Sequence, residues 1–190
     1  MKKKKFSGTL VLVVGNSGSG KDSIISRVIK KCASGCDDIK IRTPRRSITR
    51  PSSEHENNIS VSPEEFTIME TQGKFALKWQ IYGFNYGIPI EIDNWLDEGN
   101  IVVVNVSRNV IDTAREIYDN IKVVFVKVPL KITIERLKKR NRERGKSLKE
   151  RIERAKNHQD LAATDFVVDN SGKLEDSVNL FLDYLSTLRN

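Results

Sequence analysis

The sequence predicts an α/β fold, a doubly wound parallel sheet flanked by helices, from three observations. Thr9–Val14, TLVLVV, is an apolar run that opens directly into a glycine-rich loop, GNSGSGKDS at residues 15–23. Two further apolar runs, IVVVNV at 101–106 and VVFVKV at 123–128, have the length of buried strands. Between these runs the apolar residues fall at helical spacing, so strands and helices alternate along the chain.

A continuous rather than alternating apolar pattern suits a parallel strand covered on both faces, which assigns Thr9–Val14 to the sheet interior. After the loop, Ile24, Ile25, Val28 and Ile29 mark one face of a helix. Residues 42–58, RTPRRSITRPSSEHENN, are polar, basic and punctuated by proline, and read as a substrate-facing loop. Ser62, Pro63 and Glu65 then spell an N-cap, a first-turn proline and a capping box, which predicts a short helix to about Gln72. Phe75–Ile81 alternates as a strand, and Gly83 and Gly87 bracket Phe84 and Tyr86. A helix is expected over 89–98, closed by Gly99, and another over 107–118. A long basic helix from Leu130 is interrupted at Gly145, with a second arm over 148–158; a short strand at 165–168 and an amphipathic helix at 174–188 close the chain. One domain of 190 residues is expected, with its core in 8–44, 89–135 and 160–190, an inserted acceptor-binding subdomain at 45–88 and a basic helical lid at 136–159.

Thirty-three basic residues against twenty-five acidic ones give a net charge of +8. Residues 136–156 alone hold eleven Lys/Arg and three Glu, so the excess is local and implies anionic partners. Arg45, Arg46 and Arg50 lack interleaved aromatic residues for base stacking, so they suit a phosphate and not a nucleic acid. Cys32 and Cys36 match neither a redox pair nor a complete zinc site, and with no secretory signal they point to the reducing cytoplasm. No apolar stretch is long enough for a membrane span. His55 and His158 show no metal spacing and read as surface residues, and Trp79 and Trp95 as packing residues.

The strand–loop–helix context makes the glycine loop a phosphate cradle, with Gly15, Asn16, Ser17, Gly18, Ser19, Gly20, Lys21, Asp22 and Ser23 as the ATP-binding set. Lys21 reaches the β- and γ-phosphates. The next position ordinarily carries the Ser or Thr that binds Mg²⁺, and here it is Asp22. Its carboxylate either complements the helix dipole or binds Mg²⁺, with Ser23 offering a displaced hydroxyl. Arg140, Arg142, Arg151 and Arg154 are placed to close over a triphosphate, and Lys21, Arg140, Arg142 and Arg151 are the catalytic candidates.

These residues resemble the guanylate-kinase-like P-loop kinases, and within them the ribose 1,5-bisphosphate phosphokinases of phosphonate catabolism. The resemblance rests on GNSGSGKDS with its aspartate, on ITRP and HEN at 48–51 and 55–57, and on NYGIPIEID and VVVNVSR, and it covers nearly the whole chain. Leu77 and the Asn105-Val106-Ser107 triplet stand near positions where guanylate kinases carry the acids that read guanine, so GMP is a disfavoured acceptor. Asn58 stands where those enzymes have a phosphate-contacting tyrosine. The resemblance implies ATP-dependent, Mg²⁺-assisted transfer to the 1-phosphate of ribose 1,5-bisphosphate, giving 5-phosphoribosyl 1-diphosphate and ADP. It further implies Arg46, Arg50, Glu56, Asn57, Tyr86, Asn105 and Arg108 as acceptor-side residues, with Glu56 contacting ribose hydroxyls. A phosphate monoester is already largely dianionic at neutral pH, so no general base is required. ATP and a sugar bisphosphate are the expected partners of a monomer or homodimer, without nucleic acid or membrane. A nucleoside monophosphate kinase, a non-catalytic interaction module of the same fold and a nucleic-acid-binding protein are the alternatives.

Overall fold

The computed structural model describes residues 3–33, 40–51, 57–140 and 145–189. Among them a five-stranded parallel sheet has the order β2-β7-β1-β8-β9, formed by Thr9–Val14 (β1), Ile41–Arg42 (β2), Ile101–Asn105 (β7), Ile121–Lys127 (β8) and Phe166–Asp169 (β9). β1 is central, and all six of its residues are buried. Leu10, Leu12 and Val14 pack toward Ile92–Asp97 (α3) and Ile111–Ile117 (α4). Val11 and Val13 pack toward Lys21–Ala33 (α1) and Leu174–Ser186 (α7). This two-sided burial is why the strand shows no polar alternation.

A second, four-stranded sheet has the order β4-β3-β6-β5. Its strands are Arg46–Ile48 (β3), Asn58–Ser60 (β4), Phe75–Ile81 (β5) and Phe84–Pro89 (β6). The expectation of one loop over 42–58 is corrected here, because that stretch holds β3, the start of β4 and the end of β2. Ser47 and Ile48 are buried between partner strands although the segment is rich in arginine. Its pairing partners lie far along the chain, so no local pattern announces them. The capping box forms as read: Ser62 Oγ accepts from the Glu65 N–H and the Glu65 carboxylate accepts from the Ser62 N–H, opening Pro63–Thr71 (α2). The helix expected over 89–98 is shorter, since Pro89 ends β6 opposite Phe75.

Ser107 precedes a short 3-10 helix, Arg108–Val110, that leads into α4. The basic segment forms Leu130–Arg140 (α5) and Gly145–Asn157 (α6). No helix among the described residues is long and apolar enough to cross a membrane.

Candidate active site

The carboxyl ends of β1 and β7 and the two basic helices border one cleft of about 690 Å³, with β5 and β6 forming the opposite wall. Crevices at strand carboxyl ends are where open α/β sheets hold ligands. Gly15, Asn16, Ser17, Gly18, Gly20, Lys21, Asp22 and Ser23 all line it. Ser19 does not: it is buried, and its carbonyl accepts from Asn170 Nδ2 at 2.7 Å. Gly20 has φ +89°, and a Cβ there would lie 2.3 Å from that same Nδ2. Asn170 therefore closes the back of the loop against glycine alone, and its Oδ1 in turn accepts from Ser177 Oγ at 3.0 Å.

Lys21 Nζ is folded onto the loop it belongs to, donating to the carbonyls of Gly15 (2.8 Å) and Asn16 (3.0 Å). Burial pushes its pKa from 10.5 down to about 8; Asp22 opposes the fall, and Arg46, Arg108 and Arg140 add to it. Asp22 lies across the cleft floor, where Oδ1 accepts from Asn105 Nδ2 at 2.6 Å and from Arg46 Nη2 at 3.2 Å. Arg46 is nearly buried and also binds Asn58 Oδ1 and the Asn105 carbonyl, so the second sheet is tied to the glycine loop through this one side chain.

Arg108 Nη1 donates to Asn16 Oδ1 at 3.1 Å and Nη2 to the His158 carbonyl at 3.1 Å. Burial lowers its pKa to about 10. The Asn16 amide donates to that same His158 carbonyl at 3.0 Å, which fixes the end of the basic helices on the loop. From α5 and α6, Arg140 Nη2 (3.3 Å) and Arg151 Nη1 (3.0 Å) both donate to Ser17 Oγ, and Arg154 reaches Ser107 Oγ at 3.5 Å. Arg50, Tyr86, Asn105 and Arg108 line the cleft, whereas Asn57 does not. Glu56, Arg142, Cys36 and His55 lie outside the described residues.

Sequence reasoning missed Tyr82, Arg136 and Asn170, and it assigned Trp79 to packing alone. Trp79 lines the cleft while stacking on Tyr86, with ring centroids 5.2 Å apart and planes 7° apart. Arg136 donates to the Asn170 carbonyl at 2.9 Å beside the loop. Nothing around residue 170 marks an asparagine that closes on a glycine 150 positions earlier. For Trp79 a signal existed: it sits two residues from Leu77 on an alternating strand, directly opposite Tyr86.

Among the described residues lining the cleft, Asp22 is the one acid, facing Lys21 and seven lining arginines. One oxygen of Asp22 is engaged by Asn105 and Arg46, and the second carries no hydrogen bond among the described residues. With Ser23 beside it, this donor set is small but fits Mg²⁺, which is usually held by one or two carboxylates together with water and substrate phosphates.

Known proteins match this chain over most of its length. The guanylate kinase family model matches residues 7–188. The chain is 40% identical over 184 residues to the ribose 1,5-bisphosphate phosphokinase PhnN of Pseudomonas fluorescens, covering 93% of this chain and 94% of that protein. It is 42% identical over 148 residues to the protein of the same name from Rhodopseudomonas palustris, covering 78% of this chain and 75% of that one. Among solved structures, guanylate kinase from Anaplasma phagocytophilum superposes with a TM-score of 0.71 at 18% identity, over 96% of this chain and 87% of that one, a likeness of fold.

Proposed function

This chain belongs to the guanylate kinase family, and we propose that it transfers the γ-phosphoryl group of ATP to the 1-phosphate of ribose 1,5-bisphosphate, giving 5-phosphoribosyl 1-diphosphate and ADP. The observation that carries the reading is the charge layout of the cleft. Lys21 of the glycine loop, Arg136 and Arg140 of α5, and Arg151 and Arg154 of α6 line it together with Arg46, Arg50 and Arg108, and among the described lining residues Asp22 is the single carboxylate. Such a site suits two polyanions brought end to end, where positioning and charge neutralisation supply the catalysis.

The glycine-loop N–H groups and the start of α1 receive the ATP phosphates. Lys21 leaves the Gly15 and Asn16 carbonyls for phosphate oxygens, and Arg140 and Arg151, already gathered at Ser17, face the transferring group. A bound Mg²⁺ would supply positive charge against the ATP phosphates. Asp22 and Ser23 are the residues to hold it, and Asp22 simultaneously keeps Arg46 aligned. Arg46, Arg50 and Arg108 orient the acceptor phosphates, and its attacking oxygen is already anionic, so the protein supplies no base. Tyr86 and Trp79, stacked on each other, form an aromatic part of the cleft wall. Leu77 is buried in the apolar cluster, and the Asn105 side-chain amide is engaged by Asp22, so neither presents an acid to a guanine.

An acceptor panel with Mg-ATP tests the proposal by comparing ribose 1,5-bisphosphate, GMP, AMP and UMP. Ribose 1,5-bisphosphate is expected to give the highest kcat/KM. A preference for GMP overturns the substrate assignment and leaves the phosphoryl-transfer site standing.

A further inference from the structure

The turn joining β5 to β6 is built from Tyr82 and Gly83, flanked by the paired residues Ile81 and Phe84. Both central residues are left-handed, Tyr82 at φ 54° and Gly83 at φ 76°. A two-residue hairpin of this type favours Asn-Gly, because only glycine and short polar side chains adopt the conformation readily. A tyrosine at the first position is disfavoured by its own backbone, so local chain chemistry does not account for it. A non-glycine outlier of this kind directs attention to what its side chain reaches.

The Tyr82 ring reaches the basic helices. The Arg151 guanidinium of α6 sits 4.3 Å from its centroid, and the same guanidinium donates to Ser17 Oγ at 3.0 Å. Arg151 is only 7% exposed, so this contact is largely desolvated, where an arginine held over an aromatic face is strongest. Arg154, three residues along the same helix, reaches Ser107 just after β7. The acceptor-side hairpin, α6 and the phosphate loop are thus joined through one guanidinium with an aromatic ring beneath it.

We propose that Tyr82 is a positioning residue, whose aromatic face fixes the Arg151 guanidinium beside Ser17 so that it meets the transferring phosphoryl group without a search through rotamers. The proposal rests on the phosphoryl-transfer reading of the cleft. An arginine side chain has several rotatable bonds, and a platform that removes their freedom before reaction lowers the barrier and leaves ground-state binding of ATP unchanged. The Tyr82 hydroxyl has no part in this, because the ring face makes the contact.

The test separates positioning from fold. Tyr82→Asn relieves the left-handed backbone and deletes the platform, whereas Tyr82→Phe keeps the platform. Tyr82→Asn is expected to melt at or above the wild-type temperature, to bind ATP with unchanged Kd, and to lose about tenfold in kcat. Tyr82→Phe is expected within about twofold of wild type in kcat. In a double-mutant cycle, Tyr82→Asn on an Arg151→Ala background is expected to cost nothing further, since the group being positioned is gone. Unchanged kcat in Tyr82→Asn, an equal loss in Tyr82→Phe, or full additivity with Arg151→Ala overturns the proposal. Wild-type turnover of ribose 1,5-bisphosphate together with any of those results refutes the Tyr82 role alone. Wild-type preference for a nucleoside monophosphate refutes the substrate reading, and the same variants are then compared on that acceptor.

Discussion

Raising the pH above 8 is expected to weaken ATP binding through Lys21 alone. In the ligand-free protein this ammonium is desolvated and bound to carbonyls, which lowers its pKa from 10.5 to about 8. A triphosphate on the loop supplies negative charge and returns the pKa upward, so binding draws in a proton wherever the ligand-free lysine is neutral. The apparent affinity then falls as the neutral fraction grows, by about tenfold between pH 7 and pH 9 for a group with pKa near 8. Stability follows the same shift with the opposite sign. The unfolded chain holds the proton up to about 10.5 and the folded chain only to about 8. The cost of burying the charge is therefore fully present below pH 8 and is relieved as pH rises to 10.5. That cost is at most about 3–4 kcal/mol, and less to the extent that the half-buried side chain keeps contact with water. Calorimetric titration with a non-hydrolysable ATP analogue, in two buffers of different ionisation enthalpy, reads both affinity and proton uptake. About half a proton taken up at pH 8 is expected for wild type and none through this site for Lys21→Met. A Kd that stays flat from pH 7 to 9 refutes the reasoning, because it requires a lysine that remains charged throughout.

Asp22→Asn is expected to raise the Mg²⁺ concentration needed for half-maximal rate several-fold while costing under about 1 kcal/mol of stability, since its partly exposed ion pair with Arg46 is weak; a Mg²⁺ titration that overlays wild type assigns Asp22 to helix capping and to Arg46. Gly20→Ala places a Cβ 2.3 Å from Asn170 Nδ2 at φ +89°, and is expected to cost about 2–4 kcal/mol in chemical denaturation. Arg140→Ala is expected to lower kcat by about tenfold or more with a smaller change in ATP Kd, because its contact matures in the transition state; equal losses in both contradict this. Arg108→Met removes a guanidinium whose buried charge faces neutral oxygens, so the ligand-free melting temperature is expected to hold while the acceptor KM rises about tenfold; a clear loss of stability shows that its bonds to Asn16 and His158 outweigh the desolvation.

What could be read in the sequence was what is encoded locally. A buried strand entering a glycine loop and a helix needs only adjacent residues, as does the Ser62–Glu65 capping box, and both formed as expected. The second sheet resisted because β3 and β4 are three residues each and owe their existence to partners elsewhere, Gly87 and Tyr86 for β3 among them. The same reason hid Asn170 and Tyr82. Asn170 matters through Ser19 and Gly20, and Tyr82 through Arg151, and neither relationship leaves a spacing to recognise. The arginines were visible as composition, yet composition did not separate Arg46, anchored by three bonds, from Arg136, which joins α5 to the Asn170 carbonyl.

That distinction bears on how the cleft works. Lys21 rests on carbonyls, Arg108 on a carbonyl and an amide oxygen, Arg136 on a carbonyl, and Arg140 and Arg151 reach the Ser17 hydroxyl. Each of these acceptors is neutral, whereas a phosphate oxygen carries negative charge. For Lys21, Arg108 and Arg136, exchanging a neutral acceptor for a phosphate oxygen adds the attraction of opposite charges. It also relieves the mutual repulsion that the ligand-free cleft carries. Arg46 differs, because its partner Asp22 is charged and its Nε, Nη1 and Nη2 are all engaged. A guanidinium has five N–H groups, so Arg46 can hold these three bonds and still offer two donors to an acceptor phosphate. Among the described lining residues Asp22 is the one carboxylate, and its bonds to Arg46 and Asn105 hold that arginine at the cleft floor.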